Sequence, residues 1–259
     1  MNRLLAALLL LWVGALASVP LLARPGQPAQ SSQPKQPASA PATSTQPPQL
    51  YSTYSIVAYD PDRKEWGVGV ASKVLAVGAG VQALKAGVGA IAMQSYANLA
   101  YGPKAIALLA EGKSAEEVIK ILTDADKNKE FRQVGVVDRE GRVANFTGSK
   151  CIAWAGAKAG KHYTCQGNLL ANEKVIADMA ETFENTKGRL AWRIMAALDA
   201  AEAAGGDKRG RQSAAIHIVG NEPGELGYGE HLVNLRVDDA EEPLVELRRL
   251  LTKRLGKPQ

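Results

Sequence analysis

The stretch "TYSIVAYDPDRKEWGVGVAS", residues 53–72, contains two runs rich in β-branched and aromatic residues, joined by the turn-like segment "DPDRK". This pattern predicts two antiparallel strands. The first run begins on Thr53 and Ser55, directly after the polar, proline-containing segment "STQPPQLYS". Two interpretations stay open: hydroxyl residues are common where a domain begins, or Thr53 is a nucleophile that works only as the first residue of a processed chain.

The segment before this stretch divides into two parts. Residues 1–23 combine an Arg, a long apolar run and the small-residue motif Ala15-Leu16-Ala17, which is typical of a secretory signal peptide. The run is long enough that an uncleaved membrane anchor stays open as an alternative. Residues 24–50 hold seven of the 13 prolines, so they favour a disordered tether. We therefore expect an exported protein, periplasmic or extracellular, with a single domain over residues 51–259.

Composition narrows the function classes. The net charge is +5 and aromatic residues are only 5% of the chain, too few to predict stacking on nucleic acid. We expect no nucleic-acid partner, and membrane contact only through an uncleaved signal segment; a homo-oligomer is compatible with the sequence. Cys151 and Cys165 are compatible with either a disulfide or small buried hydrophobes. There is no C-x-x-C or H-E-x-x-H motif, so we expect no metal or other cofactor.

The rest of the chain predicts further strands and helices. Strands are expected at 87–94, 132–138, 142–148, 211–220 and 231–239, and helices at 102–112, 114–126, 172–185, 189–206 and 243–255. Because like elements come in runs, the order favours an α+β fold over alternating βαβ units. We expect residues 53–239 to form two stacked, mainly antiparallel sheets with helices on both sides.

Two groups of residues are candidates for a binding site. The motif Gly78-x-Gly80-x-x-Ala83 resembles a dinucleotide fingerprint, but no acidic residue occurs between Glu65 and Glu111, so close backbone packing is the better explanation. Polar residues also cluster in four segments beside predicted strands, where they either cap helices and loops or converge on one site. These residues are Ser72, Lys73, Gln94, Ser95, Asn98, Tyr101, Gln166, Asn168, Asp207, Arg209, Arg211 and Gln212.

Several long blocks resemble one known family. They are "TYSIVAYDPDRKEWGVGVASKVLAVG", "GAIAMQSYANLAYGPKAIALLAEGKSAEE", "RQVGVVDREGRVANFTGSKCIAWAG", "QGNLLA", "GGDKRGRQSAA" and "NLRVDDAEEPLVELRRLL". Across residues 53–252 the chain is similar to the family called domain of unknown function 1028, placed among the N-terminal nucleophile (Ntn) hydrolases. The resemblance implies a four-layer αββα sandwich of Ntn-hydrolase type.

The resemblance also implies roles for particular residues. Members of the family commonly begin Met-Thr-aromatic-Ser-Ile-Val-Ala, and Thr53 holds the threonine position of that motif, behind 52 extra residues. Thr53 would then be the nucleophile and its freed α-amine the base, with Lys73 lowering the pKa of that amine. Asn98, Gln94 or Asn168 would donate to the oxyanion. Two hypotheses follow: an amidohydrolase cleaving a small amide or peptide bond, or a non-catalytic binding or structural module on the same scaffold.

Overall fold

The computed structural model describes residues 50–51, 53–221 and 230–258, and within them it contains two antiparallel sheets and five helices. The expected α+β class and the two antiparallel sheets are confirmed. The predicted signal segment and almost all of the predicted tether lie outside the described residues. Within the described part of the chain, no helix is both long and apolar enough to cross a membrane.

Sheet A has the strand order β1-β5-β6-β7, with β4 also paired to β5. Its strands are β1 (Leu50–Tyr51), β4 (Gln82–Lys85), β5 (Gly89–Tyr96), β6 (Arg132–Asp138) and β7 (Val143–Thr147). Sheet B has the order β11-β10-β3-β2-β9-β8. Its strands are β2 (Thr53–Asp60), β3 (Glu65–Ser72), β8 (Gly156–Gly160), β9 (Tyr163–Gly167), β10 (Ser213–Gly220) and β11 (His231–Val237).

Each sheet packs against its own group of helices. Helices α1 (Tyr101–Ala110) and α2 (Ala115–Asp124) pack on sheet A. Helices α3 (Lys174–Asn185), α4 (Leu190–Ala203) and α5 (Pro243–Leu255) pack on sheet B. The predicted capping box at the start of α2 is confirmed, because Ser114 and Glu117 bond each other's backbone N–H groups.

Side-chain alternation along the strands shows that the two sheets face each other. In β2, Tyr54 and Ile56 pack among the helices of sheet B, whereas Val57 packs against residues of sheet A. In β5, Ile91 packs against α1 and α2, whereas Ala92 meets sheet B. The face of each strand that is not covered by helices is therefore buried between the sheets.

The predicted elements are present with boundary shifts of a few residues, and four strands escaped prediction. Strands β8 and β9 fall in the glycine-rich segment around the cysteines, whereas β1 and β4 have only two and four residues. The preference for close packing at the glycine motif is confirmed at Gly78. A Cβ built there would lie 2.4 Å from that of Ala215.

Candidate functional site

A set of polar side chains is buried between the sheets where β2 begins. We call this set the polar layer; its members are less than 3% exposed and are Thr53, Ser55, Ser72, Gln94, Gln133, Gln166 and Asn168. The strand register brings them together, because Thr53 lies opposite Ser72, Ser55 opposite Gln166, and Gln94 opposite Gln133. A polar group buried without a partner costs free energy, so each member depends on its hydrogen bonds.

Thr53 is the first residue of β2 and is fully buried. Its hydroxyl donates to Ser72 Oγ over 3.3 Å, a long contact for two hydroxyl groups. Its carbonyl oxygen accepts from Gln94 Nε2 at 3.2 Å and from the backbone N–H of Asn168 at 3.0 Å. The backbone of Thr53 is thus fixed from both sheets, while its hydroxyl is held only weakly.

Four side chains, two from each sheet, meet behind Thr53. Ser55 Oγ donates to Gln94 Oε1 at 2.7 Å and accepts from Gln166 Nε2 at 2.7 Å. Gln94 Nε2 also donates to Gln133 Oε1 at 2.9 Å. Gly135 makes room for this arrangement, since a Cβ there would lie 2.3 Å from Gln166 Oε1. These bonds fix the orientation of the Gln94 and Gln166 side-chain amides.

The layer continues through Gln133 towards a cavity of about 500 Å³. Gln133 Oε1 accepts from Asn168 Nδ2 at 3.1 Å, and Gln133 Nε2 donates to Thr147 Oγ1 at 3.0 Å. Thr147 lines the cavity together with Cys151 and the β8 residue Gly156. A ligand in this cavity would therefore lie beside the Gln133 end of the polar layer.

Asp207 and Arg209 lie next to the layer, at the end of β3. Asp207 Oδ2 accepts from the backbone N–H of Lys73 at 3.1 Å and from the Arg209 guanidinium at 2.7 Å. The backbone N–H of Gln212 bonds to the carbonyl of Ser72. The loop thus fastens the strand that carries Ser72. The Lys73 ammonium donates instead to the Arg211 carbonyl at 3.1 Å in exposed surroundings.

Asn98 and Tyr101 belong to a second cluster, centred on Asp126. Asn98 Nδ2, Tyr101 Oη and Arg132 Nε all donate to Asp126 Oδ2, at 3.3, 2.8 and 2.8 Å. Burial alone would raise the pKa of Asp126, but these hydrogen bonds and one from the backbone of Asn128 hold it at about 2. The structure therefore places the Asn98 amide beside Asp126.

Ser95 follows Gln94, is fully buried, and has a left-handed backbone at φ 67°. The Ser95 hydroxyl lies near the thiol of Cys151. Burial raises the pKa of Cys151, an effect that hydrogen bonding with Ser95 partly offsets. Cys151 is therefore a thiol at neutral pH and a weak competitor as nucleophile.

The cysteines and histidines are the remaining residues that could take part in redox or metal chemistry, and their contacts are those of structural residues. Both cysteines are free thiols, and burial raises the pKa of the fully buried Cys165. His217 Nε2 lies 2.8 Å from His231 Nδ1, and burial followed by the charge of His231 lowers the pKa of His217 to about 4. Among the described residues, no group of three or more His, Cys, Asp or Glu side chains could hold a metal ion.

Gln133 is the member of the layer that the sequence analysis missed. Its signal was present, because Gln133 is the one uncharged polar residue in the strand "RQVGVVD". Asp126 was missed for another reason. Two of its partners, Asn98 and Tyr101, lie 28 and 25 residues earlier in the chain, and no local pattern joins them to Asp126.

Fold and site together define an α+β protein whose two facing antiparallel sheets enclose a polar layer at one end. The family model described as "Family of unknown function (DUF1028)" matches residues 53–247, so the chain belongs to this family. A crystal structure of a Silicibacter pomeroyi protein with the same family designation is 29% identical, with a TM-score of 0.72. The similarity covers 78% of this chain and 85% of that one. No curated protein matches the chain.

Proposed function

We propose that the chain is an exported Ntn amidohydrolase in which Thr53, freed by removal of the preceding residues, cleaves a small amide or peptide bond. The observation that carries this proposal is the position of Thr53. It is the first residue of β2, the first residue of the family match, and a member of the polar layer. Helices on the outer faces of two facing sheets support the assignment to the αββα sandwich of this class.

The proposed reaction has two covalent steps. Thr53 Oγ attacks the substrate carbonyl while its proton passes to the free α-amine of Thr53. The C–N bond then breaks, the amine leaving group takes that proton, and an ester on Thr53 remains. Water hydrolyses the ester, releasing the carboxylic acid and restoring the threonine. An α-amine, with a pKa near 8 in model peptides, suits this exchange of protons at neutral pH.

Gln94 and Asn168 are the better candidates for oxyanion donors. Gln94 Nε2 and the backbone N–H of Asn168 both donate to the Thr53 carbonyl, so they lie beside the nucleophile, and each would have to release that carbonyl to stabilise a substrate oxyanion. Asn98 would have to leave Asp126 to take this role. Lys73 would have to leave the Arg211 carbonyl before its ammonium could act on the α-amine. Asn98 and Lys73 therefore support the proposal less strongly than Gln94 does.

Processing is essential to this proposal, because an amide nitrogen cannot act as the base. Attack by Thr53 Oγ on the carbonyl carbon of Ser52 would move the acyl group from nitrogen to oxygen. Hydrolysis of the resulting ester would then free the amine. An external protease cutting the same bond would have the same result. The buried Thr53 hydroxyl of the uncut chain agrees with activity appearing only after the cut.

The deciding experiment measures the N-terminus and the activity of the same sample. Protein from the native host should have the mass of a chain beginning at Thr53, and it should hydrolyse members of a panel of acyl-amides and dipeptide amides. Thr53→Ala should reduce turnover to background, and Thr53→Ser should keep part of it. Full turnover by a chain that retains residues 24–52, or by Thr53→Ala, would refute the proposal.

The alternative is a non-catalytic binding or structural module, and one observation favours it. The Thr53 hydroxyl is fully buried against Ser72, as expected for a residue that only completes a hydrogen-bonded core. In this case the mature chain would begin near Ser18, and Thr53→Ala would alter stability alone. The mass measurement separates the two functions before any substrate is known.

A further inference from the structure

The two described residues before Thr53 belong to the opposite sheet. Leu50 pairs with Tyr96, and Tyr51 pairs with Ser95, so β1 extends the edge of β5 in sheet A. Thr53 begins β2 in sheet B. Only Ser52, which lies outside the described residues, separates them. The chain therefore passes from one sheet to the other between Tyr51 and Thr53.

Tyr51 occupies an apolar pocket beside the polar layer. It is 9% exposed and packs with Val70, Val77, Val81 and Ala215. Gly80 borders the phenol, because a Cβ at that position would lie 3.3 Å from Tyr51 Oη. The pocket thus accommodates an aromatic ring two residues before the nucleophile.

Loss of β1 would expose both the edge of β5 and the apolar pocket that holds Tyr51. The backbone of Ser95 and Tyr96 at the β5 edge would lose its antiparallel partner, and the pocket would lose its ring. An exposed strand edge next to a side-chain pocket is the arrangement that recognises extended peptides by strand addition. Backbone pairing would supply affinity there, and the pocket would supply selectivity.

We propose that β1 occupies the acyl side of the substrate site, and that the processed protein binds extended peptides with an aromatic residue immediately before the residue whose carbonyl is attacked. This inference rests on the proposed function and specifies its substrate class. Tyr51 then stands where the aromatic residue of the substrate's acyl portion binds.

The first test uses the full-length chain and requires no catalysis. In Tyr51→Ala the pocket is vacant, so p-cresol, which has the side-chain structure of tyrosine, should bind with 1:1 stoichiometry in calorimetry. Wild-type protein should not bind it, because Tyr51 fills the pocket. The matched control is Tyr59→Ala, which removes a tyrosine stacked on Trp66 at the other end of β2. A folded Tyr51→Ala chain that takes up no p-cresol would overturn the inference.

The second test uses the processed protein beginning at Thr53. Acetyl-Leu-Tyr-Ser-amide should be hydrolysed with a kcat/KM at least tenfold above that of acetyl-Leu-Ala-Ser-amide, the range that a filled apolar pocket supplies. Equal rates would reject the aromatic preference and leave the hydrolase intact. No turnover of either peptide would count against the proposed function. The p-cresol result would then show only whether the Tyr51 pocket binds an aromatic ring.

Discussion

Ser55 and Val57 are two residues apart on β2, point to the same face, and are both fully buried. Val57 packs in an apolar cluster with Val68, Ala90 and Val137, whereas Ser55 bonds two glutamine amides. The same pair of sheets is thus closed by apolar packing at one end and by hydrogen bonds at the other. Since matched apolar side chains would give similar stability, stability alone does not explain the polar end.

The two ends of the sheet pair are closed by different kinds of contact. The apolar end holds the sheets together through burial, which does not require directional contacts. The polar end requires each amide in one orientation, and a satisfied network of this kind fixes both register and geometry. In this structure the network holds the backbone of Thr53 in one position.

The largest expected effect comes from removing the central amide of the polar layer. Gln94→Met preserves the length of the side chain but loses bonds to Ser55, Gln133 and the Thr53 carbonyl. We expect the free energy of unfolding to fall by about 3 kcal/mol, because buried partners are left unsatisfied. Urea unfolding measures this.

The control for Gln94→Met is Gln212→Met. Gln212 makes one exposed side-chain bond, to Asp239, so its substitution should cost about 0.5 kcal/mol or less. Equal losses for the two variants would mean that the polar layer contributes no more than a surface contact, and the contrast between the two ends would fail.

At the apolar end, Val57→Ala should lower the free energy of unfolding by about 2 kcal/mol through lost burial and a small cavity. The N-terminus of the mature protein and its turnover should stay unchanged, because the Val57 side chain packs in the apolar cluster and not in the polar layer. Mass spectrometry and urea unfolding of the same preparation check this. A change in processing would show that the two ends are not independent.

Much of this fold could be predicted, because long strands and helices leave periodic patterns. The runs at β2, β3 and β6 and the capping box of α2 are examples. β1 could not be predicted, since two residues carry no period and the strand forms only by pairing with β5. A local sequence pattern predicts local structure, whereas β1 depends on pairing with the distant strand β5.

The site was predictable in its residue types but not in its grouping. Thr53, Ser72, Gln94, Gln166 and Asn168 meet as expected, because strand ends converge. Whether they serve catalysis remains a prediction. Lys73 and Asn98 could not be placed from the sequence. The direction of a side chain beyond a strand end depends on partners such as the Arg211 carbonyl and Asp126.

The cluster around Asp126 should act on stability and not on the proposed reaction. Its pKa of about 2 lies below the ordinary value of 3.8, so the stabilisation is present above pH 4 and is lost as the pH falls towards 2. Asp126→Asn should therefore cost about 1.5 kcal/mol at pH 7 and almost nothing at pH 2. Urea unfolding across this range measures the difference.

The matched control is Asp124→Asn, which removes an exposed carboxylate paired with Lys120 and should have a much smaller effect at every pH. Turnover at pH 7 should be unchanged in Asp126→Asn. A loss of turnover without a loss of stability would return Asn98 and Tyr101 to the catalytic site.

Apart from the controls, Ser55→Ala has the smallest expected effect on stability, and it tests the rival nucleophile. Ser55 has a hydroxyl on the same face as Thr53, but both 2.7 Å bonds of that hydroxyl go to glutamine amides. Its nitrogen also stays an amide after processing, so it lacks the free amine that the mechanism needs. Gln166 Nε2 keeps a bond to the Ser55 carbonyl at 3.3 Å, which limits the cost to about 1 kcal/mol.

We expect the Ser55→Ala chain to be cut before Thr53 and to retain turnover within about tenfold, since looser amides weaken positioning only in part. Thr53→Ala is the matched comparison, with turnover at background. Background turnover in Ser55→Ala together with full turnover in Thr53→Ala would assign the nucleophile to the second hydroxyl of β2.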